Sequence, residues 1–460
     1  MLVSDLLGDV EVRAILGAPA EVTAVTHDSR KVSPGSLFCC VPGDVTDGHV
    51  FAADAVALGA STLLVERQLD LDVPQVVVVD VRRSMGRVAA AFHGHPSSAM
   101  DVVGVTGTNG KTTTAWLLRS IFERAGRATG MIGTLTGART TPESTDLQAE
   151  LAALRDAGVT AVAMEVSSHA LAQSRLEGTH FKVGVFTNLS RDHLDFHATM
   201  EDYFAAKARL FEPEQTDAGV VNADDPRGRL LLDAARIPTI SYSLDDVQDL
   251  RVLDDHSEAT WRGRRLVVPL GAAFNVSNAL AAATAALQVG IGEDDIVAGI
   301  GAAPQAPGRF ELVAAGQPYT VVVDYAHTPD EIENVLRAAR EVAAEGQLTI
   351  VFGAGGDRDR GKRPMMGEVA SRLADVVVLT SDNPRSEDPL RIIEEIRAGA
   401  TGAAYLMVEP DRRAAIGLAL QRATSGDVVV IAGKGHETTQ TIGDAVLPFD
   451  DREVVRSLLS

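Results

Sequence analysis

The stretch GVTGTNGKTTT, from Gly104 to Thr114, constrains the fold of this chain more than any other. It follows the apolar run DVV and precedes the amphipathic run AWLLRSIF, so the sequence predicts a strand, a glycine-rich turn and a helix. The backbone N–H groups of such a turn, together with the helix N-terminus, bind phosphate oxygens. The spacing differs from G-x-x-x-x-G-K-[ST], because Val105 stands where that pattern has its first glycine. The alternative is an ordinary strand–turn–helix with an exposed lysine, which the order of these residues disfavours.

The composition indicates an α/β protein with several domains. The chain has 460 residues, which at roughly 150 residues per domain gives about three domains. Hydrophobic residues make up 45% and aromatic residues 4%, and the many valines and alanines are typical of buried parallel strands between helices. The formal net charge of -21 argues against general binding to nucleic acid or to an anionic membrane. The adjacent Cys39 and Cys40 are expected to be buried, inert thiols.

Breaks in the pattern divide the chain into three α/β blocks. The breaks at FHGHPSSAM and APQAPGRFE predict an N-terminal domain over 1–97, a central domain over 98–306 and a C-terminal domain over 307–460. Valine-rich runs in the last block predict parallel strands that end in Gly, Asp or Ser, where ligands bind in open α/β sheets. We find no signal peptide and no apolar run of the roughly 18 residues that span a membrane, so we expect a cytoplasmic protein.

Several polar residues could complete a nucleotide site. Lys111 supplies positive charge and the Thr112 hydroxyl can reach a magnesium ion. Glu165 ends the predicted strand in VTAVAMEV, and it is either a solvated or capping residue or a metal ligand. The segment RDHLDFH, which contains His193 and His197, is either the N-terminal region of a helix or part of a metal site, and no third soft ligand indicates zinc. Taken alone, Lys207 in FAAKARLF is expected to be a surface lysine.

Ten motifs occur along the chain in a fixed order: GTNGKTTT, MEVSSHAL, FTNLSRDHLDFH, YFAAKARLF, FNVSNALAA, PGRFE, DYAHTPD, GDRDRGKRP, SDNPR and AGKGHE. In this order they resemble the Mur ligases, the ATP-dependent amide-forming enzymes of peptidoglycan synthesis. The loop form G-T-x-G-K-T-T belongs to that family, which explains its spacing. The resemblance covers nearly the whole chain. It implies a small N-terminal α/β UDP-binding domain, a central P-loop-type parallel-sheet ATPase domain and a C-terminal Rossmann-like α/β domain.

The resemblance also implies ATP and Mg²⁺ as cofactors. It gives catalytic roles to Lys111, His193 and Lys207, and the matching lysine of the family is carbamylated, which offers oxygen ligands instead of an ammonium group. The implied metal residues are Thr112, Glu165, His193 and Lys207. The implied ATP-binding residues are Gly107, Thr108, Asn109, Gly110, Lys111, Thr112, Thr113, Asn275, Asn278, Arg309 and Asp324.

Two further sets of residues are implied for the other substrates. Within the family, DNPR is typical of the members that add meso-diaminopimelate to UDP-N-acetylmuramoyl-L-alanyl-D-glutamate through an acyl phosphate. Meso-diaminopimelate has one carboxylate more than lysine, and an arginine binds a carboxylate through two hydrogen bonds. The implied residues for the UDP-substrate are Ser29, Thr140, Thr141, Ser167, Gln173 and Arg175, and Arg139 departs from the family pattern because some members carry Asn there. The implied residues for the amino acid are Arg358, Asp382, Asn383, Pro384, Arg385, Gly433 and Glu437, with Glu437 expected to receive an ammonium group.

Two other functions fit parts of the sequence. A folate polyglutamate ligase shares the fold and the loop, but the motifs DNPR and HDSR disfavour it. A non-catalytic nucleotide-binding protein is disfavoured by the intact loop together with Glu165, His193 and Lys207. We expect small-molecule substrates, no nucleic-acid partner and a monomer.

Overall fold

The computed structural model describes residues 1–18, 20–43, 46–253, 256–402 and 404–460. Over these residues the chain forms three successive α/β units, each built around its own main sheet. The predicted three-domain α/β fold class is therefore confirmed. The domain bounds 1–97, 98–306 and 307–460 stay a prediction.

In the part that the structure describes, the N-terminal unit is a five-stranded sheet with two α-helices. Its strands are β1 (Val12–Leu16), β2 (Ala24–Thr26), β3 (Ser36–Cys39), β4 (Thr62–Val65) and β5 (Gln75–Val78), and its helices are α1 (Ala52–Ala57) and α2 (Val81–Phe92). The strand order is β1-β5-β4-β3-β2, in which β1 is antiparallel to β5 and the other neighbours are parallel. Cys39 and Cys40 are buried and unbridged, as predicted, and burial raises the pKa of the Cys40 thiol to about 12.

The central unit contains a six-stranded parallel sheet. Its strands are β6 (Asp101–Thr106), β7 (Thr129–Ile132), β8 (Ala161–Glu165), β9 (Phe181–Phe186), β10 (Thr216–Asn222) and β11 (Thr239–Tyr242). Their order is β11-β10-β9-β6-β8-β7, so the chain continues to one side of β6 and later returns to the other side. Open α/β sheets bind ligands at the carboxyl end of the strands where the order reverses in this way. The glycine-rich loop lies at this reversal because it directly follows β6.

Within its described residues, the central unit also has seven helices and a small second sheet. The helices are α3 (Lys111–Arg124), α4 (Ser144–Asp156), α5 (Ser168–Ala172), α6 (Met200–Ala208), α7 (Pro226–Ala234), α8 (Ala273–Gln288) and α9 (Glu293–Gly301). The second sheet is antiparallel and consists of β12 (Val247–Val252), β13 (Ser257–Trp261) and β14 (Arg264–Val268). The alanine-rich helix α8 is buried along most of its length against α3 and β14, and it helps to fix the helix that follows the loop.

The C-terminal unit has a six-stranded sheet and a hairpin. The sheet strands are β15 (Glu311–Leu312), β16 (Thr320–Asp324), β17 (Leu348–Phe352), β18 (Val376–Leu379), β19 (Tyr405–Val408) and β20 (Val428–Ala432), and the hairpin strands are β21 (Thr439–Ile442) and β22 (Ala445–Pro448). The helices are α10 (Pro329–Ala343), α11 (Lys362–Leu373), α12 (Pro389–Arg397), α13 (Arg412–Arg422) and α14 (Asp451–Leu459). The order is β15-β16-β20-β17-β18-β19, with only the short β15 antiparallel to its neighbour.

Apolar side chains cover both faces of each main sheet. In the central unit, Val105 and Leu118 belong to a cluster on the α3 side, whereas Leu147 and Phe181 belong to a cluster on the α4 side. Burial on both faces explains the nearly continuous Val/Ile runs that the sequence shows. Across the described parts of the chain, no helix combines the length and apolarity needed to cross a bilayer.

Candidate active site

Two neighbouring cavities, which share several lining residues, lie at the carboxyl end of the central sheet. The larger has a volume of about 670 Å³ and is lined by residues of the central and C-terminal units, and the smaller has about 210 Å³. Predicted site residues that line the larger cavity are Thr108, Asn109, Gly110, Lys111, Thr112, Thr113, Thr140, Thr141, Glu165, Ser167, Arg175, His193, Lys207, Arg309, Arg358, Arg385 and Glu437. Those that line the smaller one are Asn109, Gly110, Thr113, Asn275, Asn278, Arg309 and Asp324. Residues far apart in the sequence therefore meet around the glycine-rich loop.

The loop has a backbone that only glycine accommodates at two positions. Gly107 and Gly110 have φ angles of +151° and +84°, in the region that side-chain-bearing residues rarely adopt. A Cβ atom at Gly107 would lie 1.9 Å from Thr187 Oγ1, and one at Gly110 would lie 2.2 Å from Asn278 Oδ1. The Lys111 ammonium group donates hydrogen bonds to the carbonyl oxygens of Gly107 at 3.0 Å and Thr108 at 2.6 Å. The Lys111 side chain therefore folds back onto the loop, and burial lowers the pKa of its ammonium group.

Glu165 is fully buried at the end of β8, beside the start of α3. Its carboxylate accepts hydrogen bonds from the Thr112 hydroxyl at 2.8 Å and from the Thr134 backbone N–H at 2.8 Å. The Arg309 guanidinium donates to the same Thr112 hydroxyl at 3.1 Å, across 197 positions of sequence. Of the two interpretations that the sequence left open, solvated or capping residue and metal ligand, the solvated one is wrong. A fully buried carboxylate facing a phosphate loop is in position to bind a cation.

Lys207 is buried rather than exposed, so the expectation of a surface lysine is wrong. Only 1% of the residue is accessible to solvent. Its Nζ lies 2.7 Å from the Gly107 carbonyl oxygen, to which it donates, and 4.5 Å from the centre of the Tyr203 ring. Burial and the nearby Lys111 hold the pKa of Lys207 well below its usual value. The lysine faces the cavity because α6 packs against the phosphate loop, which sequence spacing alone does not indicate.

The segment around His193 is a loop that precedes α6, so the alternative of a helix N-terminal region is wrong. His193 has a φ angle of +55°, and its Nε2 lies 3.2 Å from Asp192 Oδ2. Burial, opposed by Asp192, lowers the pKa of His193, and Lys207 lowers it further. Asp192 is itself buried and lies 3.4 Å from the Lys362 ammonium group of α11, which joins the two units. Within the described ranges, no three His, Cys, Asp or Glu side chains are grouped closely enough to hold a metal ion on their own.

The smaller cavity lies between α8 and the start of the C-terminal unit. Asn275 donates to the Gly271 carbonyl oxygen at 2.7 Å, and Asn278 lies against Gly110 of the loop. On the opposite side, Asp324 accepts hydrogen bonds from the backbone N–H groups of Phe310 and Ala326 at 2.6 and 2.7 Å. Burial raises the pKa of Asp324 to about 6. The cavity has amide and carboxylate groups at its wall, which suits a flat polar group attached to a phosphate chain.

Arg309 lies where the two cavities meet. Its guanidinium group stacks over the Tyr325 ring at 4.5 Å from the ring centre. Tyr325 and His327 line the larger cavity but were not assigned from the sequence, although both lie in the quoted motif DYAHTPD. The motif was the available signal for these two residues.

Four of the residues implied for the UDP-substrate form a hydrogen-bonded group beside Glu165: Thr141, Ser167, Gln173 and Arg175. The Thr141 hydroxyl donates to the Glu165 carbonyl oxygen at 3.0 Å and accepts from the Ser167 N–H at 3.0 Å. Arg175 donates to the Thr141 carbonyl oxygen at 3.2 Å and to Gln173 Oε1 at 2.7 Å. Gln173 thus lies behind Arg175 and outside both cavities.

Glu143 is a residue of this region that the sequence reasoning missed. Its carboxylate lies 3.0 Å from both Arg139 and Arg175 and 3.8 Å from Arg82 of the N-terminal unit. Arg139, the departure from the family pattern, is therefore an ion-paired residue at the mouth of the cleft. A cluster of three arginines around one carboxylate leaves net positive charge beside Thr140 and Thr141, which favours an anionic substrate.

Ser29 lies at the contact between the N-terminal and central units, outside both cavities. Its neighbour His27 makes a hydrogen bond of 2.7 Å with the Thr145 hydroxyl, and Lys31 pairs with Asp146 at 2.7 Å. Both partners lie at the start of α4. Ser29 is thus placed at the edge of the central unit rather than in the cleft.

The residues implied for the amino-acid substrate divide into those that line the cleft and those that lie behind the lining. Arg358, Arg385 and Glu437 line it. Asn383 lies behind them and donates to Glu437 Oε2 at 2.7 Å, and the buried Lys434, which sequence reasoning missed in the motif AGKGHE, lies 3.1 Å from the same oxygen. The remaining predicted residues outside the cavity linings are Gly107, Asp382, Asn383, Pro384 and Gly433.

The structure explains why a glycine stands at position 433 and what the basic residues after β17 contact. Gly433 has a φ angle of +111°, and a Cβ atom there would lie 2.3 Å from Asp382 Oδ2. In the basic stretch, Arg358 lines the cleft, whereas Arg363 is fully buried and pairs with Glu387 and Glu395. Arg358 is therefore available to a ligand in the cavity, whereas Arg363 stabilises the structure beneath it.

The fold and the site together define the class of protein. It is a phosphate-loop enzyme whose substrate cleft lies between two α/β units. The chain matches the Mur ligase family catalytic domain over residues 21–93, the Mur ligase middle domain over 105–286 and the Mur ligase glutamate ligase domain over 308–435. It belongs to the Mur ligase family.

Individual relatives agree with this assignment. The chain is 46% identical to a UDP-N-acetylmuramoyl-L-alanyl-D-glutamate--2,6-diaminopimelate ligase of Streptomyces avermitilis, over 96% of this chain and 93% of the relative. It is 45% identical to the ligase of the same name from Geobacillus kaustophilus, over 96% and 95% of the two chains. A solved structure of a ligase with this name has a TM-score of 0.66 and 35% identity, and the match covers 95% of this chain and 94% of that one.

Proposed function

We infer that the chain is an ATP-dependent ligase that adds meso-diaminopimelate to UDP-N-acetylmuramoyl-L-alanyl-D-glutamate. The observation that carries this function is the cleft itself, where Lys111 of the phosphate loop lines the same space as Arg358 and Arg385. An enzyme that activates a carboxylate with ATP and joins it to an amine needs both reactants beside that loop. The names of relatives 45–46% identical to this chain support the same activity.

The residues around the loop fit ATP and Mg²⁺. The glycines at 107 and 110 let Thr187 and Asn278 pack directly against the loop, and α3 begins at Lys111, so the loop leads into a helix N-terminus of the kind that binds phosphate. Mg²⁺ is usually held by few protein ligands and by phosphate and water oxygens. This suits a site with Glu165, His193 and the Thr112 hydroxyl but without a self-sufficient cluster among the described residues. When bound, the ion supplies positive charge opposite the phosphate oxygens.

The reaction proceeds in two steps. A carboxylate oxygen of the UDP-substrate attacks the γ-phosphorus of ATP, so that a new O–P bond forms and the bond to ADP breaks. The amine nitrogen of diaminopimelate then attacks the acyl carbon, the bond to phosphate breaks and the nitrogen loses a proton. Lys111 and the N-terminus of α3 stabilise the negative charge of the phosphates, and the cleft positions the reactants. No nucleophilic side chain is required.

We propose that Lys207 carries a carbamate in the active enzyme. An ammonium group buried beside Lys111 is electrostatically unfavourable, and the lowered pKa of Lys207 favours the neutral amine, which is the form that reacts with carbon dioxide. The carbamate carries negative charge and two oxygen ligands, which suits a lysine that faces the same cavity as Glu165 and His193.

The amino acid is proposed to bind by its charges. Arg358 and Arg385 hold the distal carboxylate that lysine lacks, and Glu437 receives an ammonium group. Glu437 is kept in place by Asn383 and Lys434. We further propose that the enzyme acts in the cytoplasm as a monomer on these small molecules, without a nucleic-acid partner.

The test compares two arginine variants. Arg385→Ala should lower kcat/KM for diaminopimelate by roughly 10- to 100-fold, because a charge-assisted contact of about 1.5–3 kcal/mol is lost, while the KM for ATP stays the same. The control is Arg397→Ala, a surface arginine whose side chain is 54% exposed, and it should leave both constants unchanged. Product is identified by its mass, and formation must require ATP, the UDP-dipeptide and the amino acid. Product formation from folate and glutamate instead would refute the assignment.

A further inference from the structure

The hairpin β21–β22 lies outside the C-terminal sheet and is mostly exposed. Ile442, Val446 and Leu447 have 42%, 62% and 48% of their surface accessible. Gln440 is the exception in β21, with only 8% accessible. A buried amide side chain in an otherwise exposed hairpin needs a hydrogen-bond partner to offset its loss of hydration.

The partner of Gln440 is the segment Asp382–Arg385, which carries the arginine of the cleft. Gln440 Nε2 donates to the Asp382 carbonyl oxygen at 2.7 Å, and both atoms are buried. The next residue, Thr441, donates its backbone N–H to Asn383 Oδ1 at 2.9 Å. The hairpin therefore binds the first two residues of this segment: the Gln440 side chain bonds Asp382 and the Thr441 backbone bonds Asn383.

The hairpin also holds the backbone of Arg385 itself. Arg385 N–H donates to the Thr441 carbonyl oxygen at 3.1 Å, and Gly443 N–H donates to the Arg385 carbonyl oxygen at 2.7 Å. Arg385 has a φ angle of +51°, in the left-handed region that residues with a side chain rarely adopt. Such a conformation persists where the surroundings fix it. The direction of the Arg385 side chain into the cleft thus depends on the hairpin.

The far end of Arg385 is held less firmly. Its Nη1 donates to the Gly356 carbonyl oxygen at 2.7 Å, and the side chain lines the larger cavity next to Arg358. With this one neutral acceptor among the described residues, most of the guanidinium N–H groups are available to a ligand carboxylate. The placement of those N–H groups is set by the backbone of Arg385, and therefore by its contacts with the hairpin.

We propose that Gln440 is a positioning residue through which the β21–β22 hairpin sets the preference for an amino acid with a second carboxylate. This inference rests on the proposed function, since it takes Arg385 as the group that binds that carboxylate. Gln440 does not touch the reacting atoms. Its contribution is to hold the turn that aims Arg385.

The experiment measures kcat/KM for meso-diaminopimelate and for lysine with saturating ATP and UDP-dipeptide. Gln440→Met keeps the length of the side chain but removes the N–H donor. We expect kcat/KM for diaminopimelate to fall roughly 5- to 30-fold through a higher KM, as for the loss of one buried hydrogen bond that aligns a charged contact. The value for lysine should stay within about twofold, because lysine has no carboxylate for Arg385, so the ratio of the two falls by the same factor.

A matched control comes from the same hairpin. Val446 pairs with Thr441 across the two strands but is exposed, so Val446→Ala should leave the ratio and both KM values unchanged. Gln440→Glu has the shape of glutamine but sets an acceptor against the Asp382 carbonyl oxygen, and it should lower the ratio at least as far. This second variant carries the test if Gln440→Met does not fold.

A purely structural role of Gln440 predicts another pattern. The melting temperature and the active fraction would fall, both amino acids would lose activity by the same factor, and an unchanged ratio would overturn the proposal. If the wild type made no product from diaminopimelate, the proposed function would fail instead, which is a separate and recognisable result.

Discussion

The buried ion pair of Arg412 and Asp451 offers a sharp test of how the C-terminal unit supports the site. Both side chains are fully buried, and the two groups form a bidentate pair with distances of 2.8 and 2.7 Å. The same guanidinium donates to the carbonyl oxygens of Ala432 at 2.9 Å and Ser381 at 3.3 Å. These two residues directly precede the motifs GKGHE and DNPR. Arg412 therefore joins the two segments that carry the residues proposed to bind the amino acid.

The expected loss of stability follows from the complete burial of the Arg412–Asp451 pair. Asp451→Asn keeps the shape of the side chain but leaves Arg412 as an uncompensated charge without access to water. Breaking one partner of a buried pair costs about 3–5 kcal/mol. For a domain of about 150 residues, each kcal/mol lowers the melting temperature by about 2–4 °C, so we expect a fall of about 6–20 °C.

Differential scanning calorimetry measures this shift, with Glu394→Gln as the control. Glu394 pairs with Arg397 at 3.1 Å, but the two side chains are 60% and 54% exposed, so its loss should cost less than about 1 kcal/mol. Because Arg412 is hydrogen-bonded to both strand ends, Asp451→Asn should also raise the KM for the amino acid more than the KM for ATP. A melting temperature within about 2 °C of the wild type would show that the pair contributes little and would refute the reasoning.

The other predictions concern the cleft. Lys207→Ala should lose at least about 100-fold in activity, with partial recovery in high bicarbonate or a short carboxylate, and full activity would contradict the carbamate. Lys111→Ala should abolish ATP turnover with a melting temperature close to that of the wild type, whereas normal turnover would exclude the phosphate-loop role. Burial raises the pKa of Asp324 to about 6, so its stabilising neutral form is complete below about pH 3.8 and is lost as the pH rises through 6. The melting temperature of Asp324→Asn minus that of the wild type should therefore rise between pH 4 and 7, and a constant difference would contradict the raised pKa.

The elements of this fold could be predicted from the sequence because their signals are local. The Val/Ile runs, the breaks near Pro96 and Pro304, and the glycines of the loop each report on a few neighbouring residues. Burial of Lys207 had no such signal, because it results from α6 packing on a loop that lies 100 positions earlier. Glu143 was missed for the same reason, since its three arginine partners come together only in the folded chain.

Contacts between the central and C-terminal units could not be predicted from local sequence patterns either. Asn109 of the loop donates to Asp330 at 2.6 Å across 221 positions of sequence. The motifs on both sides were recognisable as a set, but the distances between them were not. The supporting role of Gln440 needed the structure because the sequence around it, TTQTIG, has no distinctive pattern.

The identity of the amino acid is tested most directly by kcat/KM of the wild-type enzyme for meso-diaminopimelate and for lysine. Both are assayed by formation of the UDP-tripeptide with saturating ATP and UDP-N-acetylmuramoyl-L-alanyl-D-glutamate. In the proposed site lysine leaves Arg358 and Arg385 without an anion to bind, so we predict a preference for diaminopimelate of roughly 10²–10⁴. Equal values, or a preference for lysine, would contradict it.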